Sequence, residues 1–141
     1  MYNVYEVIIL TVFLCIDDKN GMAFNNRRQS RDSVVIERIT EMSQRGILMM
    51  NEYSAKLFDG MNVEISESFL EQAGRGDFCF VEKNNISEYR DKVRKIVLFK
   101  WNKVYPSDMK FDFDFSDFSL KETFDFEGTS HDVITCEVWK R

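Results

Sequence analysis

The side chains that could do chemistry are few, and most stand near the start of the chain. Arg27-Arg28-Gln29-Ser30-Arg31 runs directly into Asp32. A carboxylate half-buried in a cleft has a raised pKa and can relay a proton to a bound heterocycle. On that ground Asp32 is the candidate catalytic residue. The alternative is a carboxylate in the first turn of a helix, where the macrodipole favours it by ~0.3–1 kcal/mol. Arg27, Arg28 and Arg31 could clamp a phosphate or a carboxylate. Equally, they could form a solvated loop balanced by Asp17, Asp18 and Asp32.

His131 is the only histidine. No Cys or acid cluster stands at ligand spacing around it, so no metal is expected and the ring reads as structural or exposed. A catalytic triad would need a nucleophile paired with it, and no nucleophile-elbow pattern exists. Cys15, Cys79 and Cys136 sit inside apolar runs without metal or redox spacing. They read as small buried hydrophobes in a reducing cytoplasm.

These side chains need a scaffold, and 141 residues supply one domain, 1–141, able to bury a core without staples. A formal net charge of −5 argues against non-specific nucleic-acid binding. Val7–Ile16 is the long apolar run. It is too short to span a bilayer, and Glu6 stands where a signal peptide carries Lys or Arg, so no membrane role is expected. It reads instead as a central strand, with Met1–Glu6 as a surplus extension.

The remaining elements follow from pattern. Asp17–Arg31 is expected as a polar loop, with Gly21 and Asn25-Asn26 supplying turn chemistry. A helix begins near Ser30–Ser33, with Val35, Ile39 and Met42 at helical spacing. Strands are predicted over Gly46–Met50, Met61–Ile65, Phe78–Val81 and Lys95–Trp101. Helices are predicted over Glu52–Phe58 (closed by Gly60), from the capping box Ser68-x-x-Glu71 to Gly74, and over Ile86–Val93. After Trp101 the alternation of Phe111–Phe115, Phe118–Phe126 and Val133–Lys140 is that of half-exposed antiparallel strands. The acidic, Phe-rich Asp108–Glu127 then becomes a hairpin with phenylalanines in and carboxylates out. Val12, Leu14, Ile16, Ile39, Leu48, Phe80, Val97 and Phe99 are predicted to be buried together. The class is α/β: a mixed, mainly parallel sheet with helices on both faces and a C-terminal antiparallel hairpin.

Lys95–Trp101, the turn Tyr105-Pro106-Ser107-Asp108 and the closing run Ser130–Arg141 resemble the C-terminal end of a dihydrofolate reductase. Ile16–Met22, followed by Asp32 opening a helix, resembles that family's start. The resemblance covers nearly the whole chain, with a shorter middle around Asp59–Ser66. It implies a dihydrofolate reductase-like fold, the family's active-site carboxylate at Asp32, and pocket positions at Ile36, Thr40 and Val81. The chemistry departs from the family. Its Pro-Trp ahead of the carboxylate is replaced by Arg27–Arg31. Its phosphate-holding Gly-Arg-x-Thr is replaced by Met50-Asn51-Glu52-Tyr53, and its paired glycines by Glu82-Lys83. The threonine that anchors the carboxylate-water network is Phe99, and Phe13 stands where a small residue is expected.

These departures imply that no cofactor is expected, NADPH included. Arg27, Arg28, Arg31, Ile36 and Val81 are then candidate ligand-binding residues. The leading expectation is a non-reductase protein that binds a small ligand or a protein partner through the remnant cleft. One alternative is an NADPH-dependent reductase of a pterin-like heterocycle; another is a protein-interaction module of immunity or regulatory type, using the acidic hairpin. Short bacterial chains of this general look are sometimes labelled ribonuclease Z. That enzyme needs a His-rich two-metal site, and one histidine cannot supply it.

Overall fold

The computed structural model describes residues 9–58 and 61–141. The expected extension Met1–Glu6, the start of the first strand at Val7 and the cap at Gly60 lie outside the described residues. Strand β1 (Leu10–Ile16) is central, as its two-sided burial requires. Parallel to it on either side run β6 (Phe78–Val81) and β7 (Val93–Lys100). The main sheet has the order β5-β4-β6-β1-β7-β10-β9. Here β4 is Leu48–Met50, β5 is Glu64–Ile65, β9 is Ser119–Phe126 and β10 is Ile134–Lys140. The β7–β10 and β10–β9 ladders are antiparallel, which gives the expected C-terminal hairpin.

Strand parity divides the core in two. Leu10, Val12, Leu14 and Ile16 face one layer with Cys79, Val81, Ile96 and Leu98. Phe13 faces the other with Phe80, Val97, Phe99 and Leu48. All eight predicted core residues are buried, but they are not buried together. Val12, Leu14 and Ile16 pack on one face of the sheet, and the other five on the opposite face, because adjacent strand residues point to opposite sides. Helix α1 (Ser33–Met42) covers the second face through Val35 and Ile39. The short α2 (Glu52–Ala55) continues into a 3₁₀ turn, Lys56–Phe58, whose Phe58 joins the same layer.

The first face is covered differently from expectation. The helix predicted over Ile86–Val93 is only a 3₁₀ turn at Ser87–Tyr89. Val93 is drawn into the ladder with Leu10, and Lys92 is tied to the Ala73 carbonyl at 2.7 Å, so the chain straightens there. Phe111–Phe115 is not a strand either. Its rings pack on one another and on Trp139, with Phe113–Phe118 centroids 5.5 Å apart and Phe115–Trp139 4.7 Å apart. This aromatic loop and the one-turn helix α3 (Phe69–Gln72) close the layer. Ser68 makes no side-chain cap to α3, so the predicted capping box does not form. Ser68 instead donates its backbone N–H to Ser66 Oγ at 3.1 Å.

Asp17–Arg31 is more ordered than a loop. It holds a hairpin of β2 (Gly21–Phe24) and β3 (Arg27–Arg28), joined by Asn25 and Asn26 at φ 51° and 58°. Two central residues with positive φ make the turn that matches strand twist, and asparagine tolerates that region best after glycine. With β8 (Met109–Lys110), the hairpin forms a second, three-stranded sheet. Asp17 anchors it. Its carboxylate accepts from the backbone N–H of Lys19, Gly21 and Tyr105 and from Gln29 Nε2, all within 2.7–3.0 Å. Burial opposes the charge, but these donors outweigh it and hold the pKa below the ordinary carboxylate value.

Leu48→Ala and Val97→Ala should each lower stability by roughly 2–4 kcal/mol, the range for large-to-small changes in a closed core. Urea denaturation of the two variants checks this, and unchanged midpoints would contradict the strand positions.

Candidate functional site

Helix α1 begins at Asp32, which is its N-cap: the backbone is extended and Oδ1 accepts from Val34 N at 3.0 Å. The loop between β9 and β10 wraps round the same carboxylate. Thr129 N donates to Oδ1 at 3.0 Å, Ser130 N to Oδ2 at 2.8 Å, and His131 Nδ1 lies 3.0 Å from Oδ2. Gly128 makes the approach possible, since a Cβ there would run into the carboxylate. The Asp32 and His131 side chains are 0% and 2% exposed, so both oxygens find their partners within the protein.

The raised pKa expected of Asp32 is therefore not found. Burial does oppose the charge, but the donors from Thr129, His131, Ser130 and Val34 outweigh it and hold the carboxyl far below its usual range. The helix-terminus alternative describes its position better, with the addition of a tertiary latch to the C-terminal hairpin. His131, read from sequence as structural or exposed, is buried. It stacks on Trp101 at 4.5 Å, and its Nε2 lies 3.0 Å from both Ser30 Oγ and Tyr105 OH.

The three arginines do not share one site. Arg27, exposed on β3, lines a surface pocket together with Arg28 and Gln29, and Arg31 lines a separate cleft. Arg28 turns inward and makes a bidentate pair with Glu82, Nε to Oε2 at 2.7 Å and the terminal nitrogen to Oε1 at 3.0 Å. Ser54 Oγ donates to the same Glu82 Oε1 at 2.7 Å. Tyr53 completes the cluster. Its hydroxyl accepts from Arg28 N at 2.9 Å, Arg28 Cζ stands 4.2 Å from its ring centroid, and Lys83 Nζ stands 3.7 Å from it. Glu52 is exposed and outside this cluster. Arg28, Tyr53, Glu82 and Lys83, scattered in sequence, are thus one packed unit.

Beside α1 lies an open cleft of about 410 Å³, between the helix and Leu57, Phe58 and Met61. Ile36, Leu57, Phe58 and Met61 give it an apolar floor, with Arg31, Ser33, Glu37, Thr40 and Glu41 around them. Ile36 and Thr40, the pocket positions that the resemblance implied, line this cleft. Val81 does not: it is buried in the layer on the opposite face of the sheet, because Glu82 rather than Val81 points to this side. Sequence reasoning missed Ser30, Ser54, Tyr105 and the role of His131. Their partners lie from 26 to 101 residues away, and no local signal marks such pairs.

No protein-family model matches the chain, and no curated protein is similar to it. Among solved structures it is similar to the dihydrofolate reductase from Enterococcus faecalis, complexed with NADP(H) and RAB-propyl. The TM-score is 0.70 over 94% of this chain and 96% of that chain, at 10% identity. The fold is dihydrofolate reductase-like. No helix among the described residues is long and apolar enough to cross a membrane.

Asp32→Asn should cost about 3 kcal/mol at neutral pH, because a buried carboxylate loses several of the hydrogen bonds made to its charged form, each worth ~1.5–3 kcal/mol. A depressed folded-state pKa contributes stability that is fully present above the ordinary Asp value of ~3.9 and is lost as pH falls below it. The gap between wild type and Asp32→Asn in urea midpoint should therefore narrow between pH 5 and pH 2. A gap that stays constant over that range would contradict the latch.

Proposed function

We propose that this chain is a non-reductase binding protein on a dihydrofolate reductase-like fold, taking a small ligand in the cleft beside α1. One observation carries the reading. Tyr53 and Glu82, which stand at positions that the resemblance assigns to contact with the cofactor, are closed off by Arg28 and Ser54 in one ion-pair and stacking cluster. To admit a dinucleotide, that cluster would have to open. Glu82 would lose its guanidinium partner in a buried place and stand close to an anionic cofactor. Unit charges 4 Å apart repel by ~4 kcal/mol at a near-surface effective dielectric.

The cleft itself supports a ligand rather than a large partner. Its volume of about 410 Å³ falls in the range of small-molecule sites. Its floor is apolar, and its charged residues, Arg31, Asp32, Glu37 and Glu41, carry both signs. A compact ligand with an apolar body and polar ends suits it. Three free thiols, with Cys79 and Cys136 buried, fit a reducing compartment, and we assign the chain to the cytoplasm.

Calorimetric titration with NADPH should give no measurable heat of specific binding, and NADPH absorbance should not fall in the presence of dihydrofolate. A thermal-shift screen of small heterocycles and nucleotides should return ligands whose stabilisation disappears in Ile36→Glu. A ligand at one hundred times its Kd stabilises by ~2.7 kcal/mol, well within detection. Micromolar NADPH affinity together with dihydrofolate turnover abolished by Asp32→Asn would replace this reading with the reductase one.

A further inference from the structure

Ser30, His131 and Asp32 form a continuous chain of hydroxyl, imidazole and carboxylate. Ser30 Oγ lies 3.0 Å from His131 Nε2, and His131 Nδ1 lies 3.0 Å from Asp32 Oδ2. We propose that Ser30 is the nucleophile of an acyl-transfer site for small carboxylic esters, with His131 as its general base and Asp32 as the residue that positions the imidazole.

The roles follow from the donors available. An ionised carboxylate only accepts hydrogen bonds, so in the neutral ring Nδ1 carries the proton and Nε2 presents its lone pair. That tautomer is the one a general base needs at a serine hydroxyl. The imidazole is held in place beyond the carboxylate contact, because it stacks on Trp101 at 4.5 Å. Burial grades along the chain in the useful direction. Asp32 and His131 are closed off, while Ser30 is half-exposed. The next residue, Arg31, lines the cleft beside α1. Tyr105 OH, also 3.0 Å from Nε2, is a second hydroxyl at the nitrogen that exchanges the proton.

In the reaction, Ser30 Oγ attacks the ester carbonyl carbon while its proton passes to His131 Nε2. The carbon–oxygen bond to the alkoxy group then breaks, and the alcohol leaves with the proton from Nε2. This leaves an ester between the acyl group and Ser30. Water attacks that ester, giving one proton to Nε2. The acid departs as Ser30 Oγ recovers the proton. Water is the only co-reactant, and no electrons are exchanged. Ser30 does not itself line the cleft beside α1, and its reactivity does not rest on the cleft reading given above.

The test is labelling of the folded full chain with an alkyl fluorophosphonate, followed by peptide mapping, and hydrolysis of p-nitrophenyl acetate and butyrate. The expected result is one adduct, on Ser30, with loss of fluoride. Labelling and hydrolysis should both fall by about 100-fold or more in Ser30→Ala, whose fold is checked by circular dichroism, and in His131→Gln. The heat-denatured chain should not label. Absence of an adduct at Ser30, equal labelling of the denatured chain, or undiminished hydrolysis by Ser30→Ala would each overturn the proposal. Ser30 labelling in a chain whose cleft binds nothing in the thermal-shift screen would uphold the nucleophile and remove only the cleft reading.

Discussion

Glu82 carries its carboxylate at the end of β6 with a side chain only 7% exposed. A charge in such a place has to be paired and fully hydrogen-bonded, because removing its partner costs ~3–5 kcal/mol. Arg28 meets that requirement with two hydrogen bonds and Ser54 with a third. The consequence extends well beyond the pair. Arg28 belongs to the β2–β3 hairpin, and Ser54 to α2, so one carboxylate ties the second sheet and a helix to the parallel core. Tyr53 then fits between Arg28 and Lys83, stacking with both.

Asp32 solves the same problem on the other side of the hairpin. It too is a buried carboxylate, and its donors come from α1 and from the loop before β10. Between the two carboxylates lies the segment Gln29-Ser30-Arg31, held at both ends and short of freedom. Gln29 bonds Asp17, and Ser30 bonds His131. The segment 17–32 is therefore fastened at three acidic anchors: Asp17, Asp32 and Glu82.

The sheet was legible in the sequence where strands are buried on both faces. Val12-Phe13-Leu14, Phe78–Val81 and Ile96–Phe99 have few ways to be satisfied except as adjacent parallel strands. The closing hairpin was legible from alternation. Period alone failed where rings could pack without a ladder, as in Phe111–Phe115, and where a strand competed for the same residues, as Val93 did with the predicted helix. Turn chemistry was visible at Asn25-Asn26, but the hairpin it makes was not, because β3 is two residues long and is fixed by Arg28 rather than by its own pattern. At the site, individual departures from the family were visible. Their compensation was not: Arg28 and Glu82 stand 54 residues apart, and Asp32 and His131 stand 99 apart.

The central claim is that the Arg28–Glu82 pair occupies the place that a dinucleotide would need. Its most direct measurement is the Arg28 Nε–H resonance in ¹H–¹⁵N correlation spectra of the folded chain, assigned with Arg28→Lys. A guanidinium locked in a buried bidentate pair should give a slowly exchanging signal, and that signal should stay unmoved through a titration with millimolar NADPH. A saturable shift or loss of the signal on adding NADPH would mean that the pair opens to admit the cofactor, and would contradict the account.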